Sequence, residues 1–141
     1  MIMKRILATI IDLTISIIPC LILNLKTNYN LIYLSYMSLL LLIIHTSVFI
    51  FIMKRTFGEK IVRIQIDRIN SNEIKSSYIF LRNVVFCFYF LLIIMSYSSL
   101  IDLIVILLLF ISLNTTIFFK NQYNKPMTII DFIFKTYYKY V

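Results

Sequence analysis

The sequence predicts an all-α membrane protein. It should be a bundle of about four transmembrane helices with both termini cytoplasmic, a basic cytoplasmic loop and an interfacial C-terminal helix. Three observations carry that expectation. The 141 residues are 61% hydrophobic and 14% charged, whereas soluble domains run roughly 45–50% apolar and about 25% charged. A chain this short cannot hide the surplus in a core, so the excess must face lipid. The apolar residues fall into runs of bilayer length, and the cations gather beside those runs in alternation.

The first run, 6–25, opens after Lys4 and Arg5 and closes in the polar stretch Asn24 to Asn28. Twenty residues at about 1.5 Å each cover the roughly 30 Å of a hydrocarbon core. A cleaved signal peptide is the rival reading. Against it stand Asp12 in the middle of the apolar region, the lack of an A-x-A site, and Pro19 before Cys20. The second run, 31–53, begins with Tyr29, Tyr33 and Tyr36 at an aromatic belt and ends at Lys54 and Arg55.

The basic loop 54–75 holds the single glycine, Gly58. Within it Ile64 and Ile66 alternate with polar residues, which fits a short strand as well as an interfacial helix. Asn70, Ser71 and Asn72 supply turn chemistry. From Val84 to Phe119 the chain is apolar with one charge, Asp102. A single helix of that length would be nearly twice the bilayer core, so a break is expected at Ser96 to Ser99. That gives helices over 76–97 and 100–119. The tail, 120–141, is aromatic and contains Asp131, which suits an amphipathic helix at the interface. No fixed period repeats along the chain, so a solenoid or an inverted repeat is not expected.

Lys and Arg number two before the first helix, one after it, seven from Lys54 to Arg82, none around Ser98 and four in the tail. Those counts alternate for four spans with both ends inside, whereas three spans would place the four-lysine tail outside. The whole chain reads as one domain, 1–141. The net charge of +8 is therefore topological, and no nucleic-acid partner is expected. Cys20 and Cys87 lie in apolar segments without CxxC or histidine companions, so neither a disulfide nor a metal site is expected. No phosphate loop, HExxH or nucleophile elbow is present. No enzyme activity, no catalytic residue and no cofactor is expected.

The ionisable residues inside the runs are the candidate site. Asp12 lies about 9 Å into the first helix, where an acid costs on the order of 2.5–3.5 kcal/mol unless it is partnered. Arg5, Ala8, Asp12, Ser16 and Pro19 follow steps of three and four and should form one inward stripe. Arg82 sits at matching depth in the third helix, so an Asp12–Arg82 pair is expected, either as an ion or substrate site or as a structural clamp. His45 is a weaker candidate, whose partner must come from another helix. Asp102, near the outer end of the fourth helix, reads as a solvated or capping residue.

Three patches together resemble the RDD family of small bacterial integral membrane proteins. They are Arg5-x-x-Ala8-x-x-Ile11-Asp12, the segment Thr56-Phe57-Gly58-Glu59-Lys60-Ile61-Val62-Arg63-Ile64-Gln65-Ile66, and Arg82-Asn83, with Asp131 in the tail. The resemblance implies that Arg5, Asp12 and Asp131 are the arginine and two aspartates of the family's name. It implies a multi-pass protein of the bacterial cytoplasmic membrane, for which a transport role has been proposed. The expected partners are the lipid bilayer and, for a carrier, a second copy of the chain. A scaffold or immunity-type module would instead dock on another membrane protein.

Overall fold

The computed structural model describes residues 2–68, 74–96, 98–115, 117–120 and 126–141. Three helices are long and apolar enough to cross a membrane: α1 (Ile2–Thr27), α2 (Leu31–Met53) and α4 (Ser76–Met95). Asn28 ends α1 in the left-handed region, at φ 51°, and its N–H donates to the Asn24 carbonyl, a common helix stop. Lys54 ends α2 in the same way at φ 56°. Between them Asn30 caps α2. The break in the last apolar block falls where the serines predicted it, with α4 ending at Met95 and α5 (Leu100–Thr115) starting five residues on.

After α2 the chain makes a one-turn helix α3 (Phe57–Ile61) and a strand β1 (Ile64–Arg68). After α5 it makes a hairpin of β2 (Ile117–Lys120) with β3 (Pro126–Thr128), then a one-turn helix α6 (Ile129–Ile133) and a strand β4 (Thr136–Tyr140). Strands β1 and β4 pair antiparallel, Ile64 with Tyr140 through Arg68 with Thr136, centred on Ile66 and Tyr138. This ribbon places the tail at the same end of the helices as the loop after α2.

Several expectations are corrected. The fold is not all-α, because two two-stranded sheets join the helices. The fourth helix stops at Thr115 rather than 119, leaving 16 residues, about 24 Å. The tail is not an interfacial helix. Thr136 to Tyr140 is rich in β-branched and aromatic residues, and a sheet partner, invisible to helical periodicity, was waiting in β1. For the loop, the strand reading holds over Ile64–Arg68, while Asn70 to Asn72 lie outside the described residues, as do Asn121 to Lys125.

A repeat is also present where none was expected. Thr56 and Glu59 form a capping box on α3, and Thr128 and Asp131 form one on α6. Arg63 at φ 55° and Lys135 at φ 49° then turn each chain into its strand. Residue numbers differ by 72 at every matched position, and the ribbon register is symmetric about its centre. Few side chains are shared between the copies, because a capping box needs only a hydroxyl and an acid three residues on.

The core follows this layout. Ile66 of the ribbon packs on Ile50 and Ile79, with Tyr138 against them. Ala8, Val62 and Ile64 form a second cluster that also meets Tyr138. Leu39, Leu42 and Cys87 pack deeper between α2 and α4. The opposite helix faces stay apolar and exposed, as at Ile18, Leu21 and Ile22 of α1. Such surface requires lipid.

Candidate functional site: a charge cluster beneath the ribbon

Helix α1 presents Ala8, Asp12, Ser16 and Cys20 inward, at strict steps of four. The expected stripe is thus right through Ser16, but Pro19 is exposed and Cys20 takes its place. Ala8 allows α3 to close on α1. A Cβ on Gly58 would lie 2.1 Å from the Ala8 carbonyl oxygen, so only glycine fits there. That contact brings the Gly58 N–H to 2.8 Å from Asp12 Oδ1. The buried acid is held by a backbone donor at the start of α3.

The expected Asp12–Arg82 pair does not form. Arg82 Nη2 donates to Asp131 Oδ1 at 2.7 Å, and Arg5 Nη1 donates to Asp131 Oδ2 at 2.9 Å. Matched depth on two helices was not enough to decide the partner. The capping box of α6 delivers a carboxylate to the same level, and its two oxygens suit two guanidiniums at once. Thr128 donates through both its backbone N–H and its hydroxyl to Asp131 Oδ2. Both guanidiniums also lie over the Tyr138 ring, at 4.5 Å for Arg5 and 4.8 Å for Arg82. Arg82 Nη1 is buried and has no hydrogen-bond partner among the described residues.

Three participants were not singled out from sequence: Glu59, Tyr138 and Thr56. Glu59 Oε2 accepts the Thr56 N–H at 2.9 Å, and Tyr138 Oη donates to Glu59 Oε1 at 3.1 Å. Burial pushes the Glu59 carboxyl above its usual range against the opposing pull of the Thr56 N–H, Arg82 and Tyr138. Burial also pushes the Tyr138 hydroxyl up to about 12. The signal available for Glu59 was the T-x-x-E spacing. Tyr138 carried none, since its role depends on strand pairing.

His45 does find its partners on another helix. Its Nδ1 lies 3.2 Å from Ser16 Oγ and 3.2 Å from the Leu41 carbonyl of its own helix. The Ser16 hydroxyl donates to the Asp12 carbonyl, so both neighbours present acceptors and Nδ1 must carry a proton. Nε2 then faces Asp12 Oδ1 at 3.5 Å, within ion-pair reach but without a hydrogen bond. Asp102 stands apart, exposed in the first turn of α5, with its N–H directed at Ser99 Oγ.

A cavity of about 240 Å³ adjoins these groups, reached by Arg5, Asp12, Glu59, Arg82 and Tyr138 and otherwise mostly apolar. Among the described residues no cluster of His, Cys, Asp and Glu is arranged to hold a metal ion. Apolar helices of bilayer length around a buried ionic cluster define a small helical membrane protein. The RDD family model matches residues 1–135, nearly the whole chain, and the chain belongs to the RDD family. No curated protein and no solved structure matches.

Proposed function

We propose that this protein is an ion-coupled carrier of the bacterial cytoplasmic membrane, without enzymatic activity, whose coupling site is Asp12 with His45. The observation that carries the reading is the proton arithmetic of that pair. With the Nδ1 proton committed to Ser16 and Leu41, a neutral imidazole would turn the Nε2 lone pair on a carboxylate oxygen 3.5 Å away. Two acceptors facing each other in a buried site repel unless a cation or a proton joins them. An intramembrane acid and histidine so placed form a natural proton-binding element. The cluster of Arg5, Arg82 and Asp131 closes its ribbon end.

In this reading α5 completes a fourth span, its short helix extended by residues beyond Thr115, and both termini are cytoplasmic. Reporter fusions at Lys26 and Ser98 should then report the outside, and fusions at Asn70 and Val141 the cytoplasm. Purified protein in vesicles should dissipate or exchange an imposed pH or sodium gradient. Asp12→Asn should lower that flux at least tenfold while the protein stays folded. Vesicles that hold both gradients as well as empty ones would overturn the carrier reading in favour of a scaffold that docks a partner membrane protein.

A further inference from the structure

The cavity is amphipathic along the membrane normal, and independently of any ion flux its chemistry points to a lipid. At its ribbon end stand Arg5, Arg82, Asn83 and Asn114. About 12 Å deeper, eight residues along α1, Leu13, Leu42 and Phe86 line it, beside Asp12 and Thr46. Helices α1 and α5 face each other across the opening. Ile6 and Ile10 of α1 and Ile111 of α5 line it yet are 43%, 53% and 51% exposed, so it communicates sideways with the bilayer. Its volume is about eight times the roughly 30 Å³ of a water molecule. That is room for a headgroup and the start of one acyl chain, with the remainder of the molecule outside.

We propose that this cavity binds a phospholipid of the leaflet at the ribbon end, entering between α1 and α5 with its phosphodiester at Arg82. Each carboxylate at the site already has a donor of its own: Asp12 has Gly58, Glu59 has Thr56 and Tyr138, and Asp131 has Thr128 and both arginines. The unmet demand is for an acceptor, because two guanidiniums share one carboxylate and Arg82 Nη1 has no partner among the described residues. A lipid phosphate oxygen is such an acceptor, and arginine binds it with charge-assisted geometry. The side lined by Leu13, Leu42 and Phe86 takes the chain.

Delipidated protein in detergent is offered phosphatidylglycerol, diacylglycerol or inorganic phosphate, with retained lipid read by native mass spectrometry and protection by thermal melting. Wild-type protein should retain phosphatidylglycerol about tenfold better than diacylglycerol, the worth of one charge-assisted hydrogen bond. Arg82→Lys keeps a cation for Asp131 but removes the free nitrogen, and should erase that preference. Ile10→Trp, on an exposed position of α1, should lower retention of both lipids by narrowing the opening. Equal retention of the two lipids by wild type would overturn the proposal, and so would protection by inorganic phosphate equal to that by phosphatidylglycerol. Unchanged retention in both variants would overturn it as well.

Discussion

Asp131 receives four donors on two oxygens, and through it the two ends of the chain meet: Arg5 is near the start and Thr128 near the finish. Removing one partner of a buried ion pair typically costs about 3–5 kcal/mol, because the other charge is left in low dielectric. Asp131→Asn should fall near 3 kcal/mol, since Arg5 keeps 13% of its side chain exposed while Arg82 keeps 7%. In thermal melts in detergent, the Asp131→Asn/Arg82→Gln double variant should lose clearly less than the sum of the single variants. The Asp12→Asn/Arg82→Gln pair should come closer to additivity, because those side chains share no hydrogen-bond partner. Stronger coupling in the second cycle would contradict the observed pairing.

At the level of elements, each one-turn helix stands because its caps do the work that length cannot. An isolated helix of five residues is far below the length that propagates unaided. The α3–β1 corner also carries two acids with opposite pH signatures. Burial holds the Glu59 carboxyl above its ordinary 4.5, so its contribution to stability is complete below that value and is lost as pH rises through the folded pKa. Burial pushes Asp67 up too, but hydrogen bonds from Lys139, the Arg68 N–H and Tyr137 together outweigh it and leave Asp67 below its ordinary 3.8. Its contribution is present above 3.8 and lost as pH falls through the lowered pKa. Melting profiles against pH should therefore flatten above 4.5 in Glu59→Gln and below 3.8 in Asp67→Asn. Glu59→Gln that declines with rising pH as wild type does would show that Glu59 is not the group responsible.

At the scale of the molecule, the ribbon joins two halves of like plan. One is α1, α2, α3 and β1; the other is α4, α5, α6 and β4, with the β2–β3 hairpin set in before α6. Antiparallel pairing of β1 with β4 puts Gln65 directly opposite Lys139. Side chains in such positions lie about 4.5–5.5 Å apart at Cβ, near enough for a disulfide after a small adjustment. Gln65→Cys/Lys139→Cys should form an intramolecular cross-link on mild oxidation, seen as a reducible shift in gel mobility. The control pair Gln65→Cys/Phe132→Cys should not form one. Cross-linking no better than the control would mean that the tail does not return to the loop after α2.

Composition alone determined that the chain lives in a membrane, because burial in so short a chain cannot absorb this much apolar surface. Run lengths located α1, α2 and α4 to within a few residues, and the serine cluster located the break before α5. Asp12 and Arg82 were legible as candidates, since a charge inside an apolar run needs a reason, and Arg5 and Asp131 through the resemblance to the family's motifs. Their partners were not legible. Helical periodicity says which face a side chain occupies and how deep it lies, but Asp131 reaches Arg5 and Arg82 only because two strands 72 residues apart pair and carry their capped turns together. Tyr138 and Glu59 joined the site through that same pairing. Strand partnership is a long-range choice made by backbone hydrogen bonding, and only the tertiary structure decided it.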